Sequence, residues 1–233
     1  MTTCSPIPFI VLISANSEWR IALEILKPSQ TNVSSVGEWF ESSVGSQKVV
    51  FFHSGWGKTR SAAATQLVID RWQPELVINL GTCGGLEGFA TLGEILLVTN
   101  TVMYDIFERM GDSQQAVNYY RSELDTEWIG TALPENTRRA TLASADQDID
   151  FRNFEVLTQE FGVPAADWES SAIAWVLKAN GVRGLILRGV SDIITPLASE
   201  TDNNHSLWRS RVEMIIRKLL HDLPFYLDNF LNK

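Results

Sequence analysis

Residues 49–85 read VVFFHSGWGKTRSAAATQLVIDRWQPELVINLGTCGG, and this one stretch holds a strand, a helix and a second strand. QKVVFFHS (47–54) is a short apolar run rich in β-branched and aromatic residues, the composition of a strand. It runs into Gly55-Trp56-Gly57-Lys58. TRSAAATQLVIDRW then has helical spacing, with small residues on one face that allow close packing. Pro74 resets the chain, and ELVINL (75–80) predicts a buried strand that ends in Gly81-Thr82-Cys83-Gly84-Gly85.

The same alternation extends in both directions. Pro8 to Ser14 (PFIVLIS) predicts a buried strand; Asn16 or Ser17 caps a helix that Pro28 stops. Glu38 to Val44 pairs with Gln47 to Ser54 as a hairpin turning at Gly45-Ser46. Gly93 to Thr101, Arg139 to Ser144 and Val182 to Val190 predict further strands, and Phe154 to Phe161 and Trp168 to Lys178 predict helices. Phe107 to Glu135 is polar and poorly periodic, a long loop or lid with room for one short helix. Leu207 to Leu231 is an amphipathic helix with an expected break at Pro224. Strands alternating with helices predict an α/β fold, a mixed central sheet covered by helices on both faces. No repeat, low-complexity stretch or linker interrupts residues 1–233, so one domain is expected.

Composition narrows the function classes. The 233 residues are 45% hydrophobic and 20% charged, and 19 Lys+Arg against 28 Asp+Glu give a net charge of −9. An acidic chain without a basic run is a poor nucleic-acid binder. Two cysteines, Cys4 and Cys83, make no disulfide framework, and three scattered histidines have no ligand spacing, so no metal site is expected. The N-terminus lacks the cationic region of a signal peptide, and no apolar run approaches the ~20 residues that span a bilayer. A cytoplasmic protein is expected. Eight Trp is an unusually high count.

Ligands of open α/β sheets bind at the carboxyl ends of strands, and here those ends carry acids: Glu18, the Ala145-Asp146-Gln147-Asp148 segment, Glu169, and Asp192 after Arg188-Gly189-Val190-Ser191. Carboxylates gathered this way suit acid–base work. Each has a plainer reading as well: Asp192 can cap the next segment, and Glu18 and Glu169 fall in first helical turns, where acids favour the helix dipole. Arg188 in a buried strand demands a partner. Gly55-Trp56-Gly57-Lys58 lacks the spacer of a phosphate loop, so no ATP site is expected.

Taken in order, GWGK (55–58), GTCGG (81–85), GEI (93–95), WESSAIA (168–174) and RGVSD (188–192) resemble the nucleoside phosphorylase/nucleosidase superfamily, and most nearly the 5′-methylthioadenosine/S-adenosylhomocysteine nucleosidases. The resemblance spans roughly residues 8 to 193 and implies a three-layer phosphorylase/hydrolase-like fold. It also implies hydrolysis of the N-ribosidic bond of a purine nucleoside. Asp192 would protonate the purine, held by Ser191; Glu18 would orient or deprotonate water, with Arg188 beside it; Glu169 would grip the ribose hydroxyls. The division of labour parallels that of glycosidase carboxylate pairs. Thr82, Cys83 and Gly84 would offer backbone to the ligand, and Ile149 would contact the base. No cofactor or metal is required, and a homodimer or higher homo-oligomer is implied.

Two alternatives accompany this reading: a phosphate-dependent phosphorylase, and a non-catalytic nucleoside-binding or storage protein. Phosphorylases need cations for phosphate, and this chain has Asn79 and Glu18 at the corresponding positions, although Arg20 follows. An ungapped match sets the family's glutamate opposite Trp19, one position beyond Glu18. Asp148 replaces the aromatic residue on which the family stacks adenine; an acid there can accept a hydrogen bond from an exocyclic amine. Trp168 beneath the ribose and Trp56 in the GWGK turn replace smaller residues.

Overall fold

The computed structural model describes residues 8–199 and 204–232, so Cys4 lies outside the described residues. In chain order the elements are β1 (Phe9–Ile13), α1 (Asn16–Leu26), β2 (Asn32–Val33), β3 (Glu38–Val44), β4 (Gln47–His53), α2 (Gly57–Trp72), β5 (Leu76–Leu86), β6 (Ile95–Met103), α3 (Ser113–Tyr120), β7 (Ser122–Glu123), β8 (Thr137–Ser144), β9 (Ala165–Asp167), α4 (Ser170–Asn180), β10 (Arg183–Ile194) and α5 (His205–Leu231). All strands join one mixed sheet.

The strand residues divide by parity, as a sheet buried on both faces requires. Phe9, Val11 and Ile13 of β1 pack with α1 and α5, while Ile10 and Leu12 pack with α2 and α4. These are the three expected layers. β1 lies between β4 and β5, parallel to both. Beyond β5 the sheet closes on itself: β5 pairs with β10, β10 with β6, β6 with β8, β8 with β9, and β9 with β5. This ring draws the carboxyl ends of β5, β8 and β10 together.

Four expectations change. The glycines 81–85 do not end a strand; β5 continues through them to Leu86, and β10 likewise runs past Val190 to Ile194. The two extensions pair with each other across a register shift between Val190 and Asp192, and this β-bulge turns the end of β10. α5 passes through Pro224 unbroken. Leu219 and Leu223 before the proline and Tyr226, Leu227 and Phe230 after it are all buried, so packing holds the helix across the lost amide. The expected helix at Phe154 to Phe161 is a short π-helical turn over Val156–Glu160. α1 is capped by neither Asn16 nor Ser17: its N-cap is Ala15, whose N–H donates to Glu18 Oε2. The polar stretch 107–135 holds α3, capped by the Asp112 side chain on the Gln114 and Gln115 amides, together with β7.

Candidate active site

Arg188 is the centre of the site. It lies on β10, only 1% exposed. Its Nε donates to Ser170 Oγ at 3.0 Å and stands 2.8 Å from Asp167 Oδ2; its Nη2 donates to Asn79 Oδ1 at 2.7 Å and lies 3.8 Å from Glu169 Oε2. Burial works against the charge, and Asp167, Glu169 and Glu18 outweigh it, so the guanidinium remains charged. The third nitrogen, Nη1, occupies the space where a side chain at position 81 would stand, with Glu18 Oε1 close by. Gly81 is therefore required for close approach.

Glu18 enters the same space from the first turn of α1. Its Oε1 accepts the Thr82 N–H at 2.7 Å and the Thr82 hydroxyl at 2.8 Å, while Oε2 accepts the Ala15 N–H at 3.2 Å. Glu18 thus divides its oxygens, Oε2 bonding within the first turn of α1 and Oε1 reaching Thr82. Burial pushes its carboxyl up, and Arg188 and the three donors only partly offset that. Trp19, which an ungapped match sets opposite the family's glutamate, turns into the core: its ring stacks on His53 at 5.4 Å and its Nε1 donates to Glu38.

Glu169 is the N-cap residue of α4, 8% exposed, and its Oε1 accepts the Gly57 N–H at 3.0 Å. Burial and the neighbouring Asp167 raise its carboxyl to about 8. Asp192 follows the bulge, with Ser191 Oγ 2.7 Å from Oδ1 and Ser199 Oγ donating to Oδ2 at 3.1 Å. Burial raises its carboxyl, the two hydroxyls and Arg211 oppose this, and Asp148 adds to the rise. The space above Gly84 is bounded by Ile149, Ile194 and Asp192. Gly81 and Gly84 are three residues apart on β5, on the order of 10 Å. The candidate site therefore has two parts along β5, Glu18 with Arg188 beside Gly81 and Asp192 beside Gly84.

The remaining predicted residues separate. Thr82 has its amide and hydroxyl committed to Glu18. The Cys83 thiol is buried, directed at the Gly189 carbonyl and pushed well up by burial, so it is inert. Trp168 is half-buried, Asp148 exposed, and Trp56 60% exposed at the start of α2. Asp167, Ser144 and Ser170 were not among the predicted site residues. Asp167 accepts hydrogen bonds from both serines at 2.5 Å and from the Ser170 amide, which fixes the Arg188 counter-charge and caps α4. Their signal was the buried arginine itself, which needs a buried acid. Among the described residues no three His, Cys, Asp or Glu gather as a metal site, and no helix is long and apolar enough to cross a membrane.

Comparison with known proteins adds the family. The 5′-methylthioadenosine/S-adenosylhomocysteine nucleosidase of Buchnera aphidicola subsp. Acyrthosiphon pisum (strain APS) is 26% identical over 199 residues, covering 80% of this chain and 83% of that protein. The MTA/SAH nucleosidase of Streptococcus pneumoniae, solved with 8-aminoadenine, superposes with a TM-score of 0.77 at 20% identity, over 95% of this chain and 99% of that one. The futalosine hydrolase of Helicobacter pylori strain 26695 superposes as well, with a TM-score of 0.76 at 17% identity over 97% and 98%. At such identities the two structures speak for the fold alone. The model of the phosphorylase superfamily matches residues 10–221, nearly all of the sheet together with Glu18, Glu169, Arg188 and Asp192, and the chain belongs to that superfamily.

Proposed function

We propose that this protein is an N-glycosidic hydrolase that cleaves a purine nucleoside, with 5′-methylthioadenosine and S-adenosylhomocysteine as the leading substrates. The observation that carries the reading is Glu18. A buried carboxylate within the field of Arg188 lies where a phosphorylase would gather cations, and a carboxylate repels phosphate while it activates water. The names of the relatives support the same class.

The chemistry follows from the two parts. Burial favours the protonated form of Asp192, which donates its proton to N7 of the purine as the N9–C1′ bond breaks. The bonding electrons leave with the base, and positive charge develops on the ribose. Water held by Glu18 and Arg188 adds to C1′, and Glu18 takes its proton. Glu169 grips the ribose hydroxyls between these parts. The base lies over Gly84 against Ile149, and the ring of Trp168 flanks the ribose. This balance needs no cofactor.

The test is release of free base from 5′-methylthioadenosine, S-adenosylhomocysteine and futalosine, with and without phosphate. Release independent of phosphate is expected. Release only with phosphate reassigns the protein to the phosphorylases, and tight binding without turnover makes it a nucleoside-binding protein. The same reading carries a single cytoplasmic domain that assembles at least as a dimer. Trp56, Phe107 and Met110, respectively 60%, 75% and 98% exposed, are among the apolar side chains available for that assembly. Light scattering during size exclusion tests it, and a monomer would overturn it.

A further inference from the structure

Three segments at the carboxyl edge of the sheet are joined through one side chain that the chemistry above does not use. The Lys58 ammonium donates to both oxygens of Asp105 at 2.5 Å and lies 3.9 Å from Asp146 Oδ2. The Lys58 backbone N–H donates to Asp146 Oδ1 at 2.7 Å, and the Asp146 N–H donates to Asp105 Oδ2 at 3.1 Å. Asp105 follows β6, Asp146 follows β8, and Lys58 is in the first turn of α2. The amide just before Lys58, that of Gly57, is the one that donates to Glu169. Gly57 has φ +79°, and a Cβ there would come within 2.8 Å of Asp146 Oδ1, so the turn approaches Asp146 as closely as glycine allows. The Lys58 and Asp105 side chains are only 16% and 24% exposed, which limits screening by solvent.

We infer that Lys58 is a positioning residue: it draws Asp105 and Asp146 onto one ammonium, and so fixes the first turn of α2 where the Gly57 amide orients Glu169. The inference rests on the reading of Glu169 as the ribose ligand. Without the ammonium, the two neighbouring carboxylates keep one backbone amide each and lose the positive charge between them. Their repulsion parts the segments after β6 and β8 and takes the Gly57 amide off Glu169. Misplacement of a substrate-holding group by about 1 Å costs on the order of 100-fold in rate.

A double-mutant cycle on the full chain tests this. kcat/KM is measured for the wild type, Lys58→Met, Glu169→Ala and the double variant. Lys58→Met is expected to lower kcat/KM by about 100-fold in the wild type, but by less than about twofold once Glu169 is gone. Lys58→Arg, which can still bridge both acids, is expected to recover most of the loss. If Lys58→Met folds poorly, Asp105→Asn weakens the same clasp and takes its place in the cycle. Equal losses in both backgrounds, or near-wild-type kcat/KM in Lys58→Met, overturn the inference while leaving the nucleosidase reading intact. If the wild type releases no base, the functional reading fails instead, and the cycle is read on the Kd for 5′-methylthioadenosine by calorimetry, where the same non-additivity is required.

Discussion

A guanidinium sealed inside a sheet must be neutralised on every side, and the Arg188 surroundings can be tested one residue at a time. Asp167 supplies the counter-charge at 2.8 Å. Removing one member of a buried pair strands the other, at a cost of about 3–5 kcal/mol. Asp167→Ala is expected to lose that much unfolding free energy in a urea titration; a loss below about 1 kcal/mol would mean that Glu169 and Glu18 neutralise Arg188 without it. Asp192 makes the opposite case. It is half-buried, and it hydrogen-bonds the Ser191 and Ser199 hydroxyls, which an amide can also satisfy. Asp192→Asn should therefore keep its melting temperature and lose kcat by about 10²–10⁴-fold, the contribution of a general acid. Near-normal turnover would remove the acid role. At this scale the sequence placed Arg188 and Asp192 on one segment, and both lie within β10. Spacing sets the family's glutamate opposite Trp19, one position beyond Glu18; Glu18 reaches Thr82, while Trp19 stacks on His53. Asp167 directly precedes the quoted WESSAIA segment, but its partner is 21 positions along the chain, a pairing that the placement of β9 and β10 against β5 brings about.

Elements were legible where their apolar period was uninterrupted, and illegible where tertiary pairing overrode local chemistry. Glycines lower strand propensity, so β5 seemed to stop at Leu80; yet Gly84 and Gly85 pair with Asp192 and Ile193 on one side and with β9 on the other. β9 is three residues, too short for a periodic signal. α5 shows the same override. Pro224 lacks the amide that would bond the Leu220 carbonyl, and its ring crowds that turn, yet the buried residues on both sides keep the helix continuous. Pro224→Ala restores the bond but loosens the unfolded chain, so a net gain of about 1–3 kcal/mol is expected. Thermal unfolding followed by circular dichroism measures it. A lower melting temperature would mean that the proline ring itself packs in a way alanine cannot replace.

For the molecule as a whole, the acids unite stability with chemistry. Glu18, Glu169 and Asp192 are all raised above their ordinary values, chiefly by burial. A raised acid keeps its proton in the native state at a pH where the unfolded chain has already lost it. The native state then binds more protons, so stability falls as pH rises through that window. For Glu169 the window runs from the ordinary 4.5 to about 8. The net charge of −9 acts in the same direction, because deprotonation adds to self-repulsion. The melting temperature should therefore be highest on the acid side of neutrality and decline steadily towards mild alkali. Glu169→Gln keeps the shape of the side chain and removes its titration, so its melting temperature should fall less steeply over the same interval. Calorimetry of both proteins at matched ionic strength provides the comparison. A wild-type curve that is flat or rises with pH, or two parallel curves, would show that Glu169 is not held protonated in the native state.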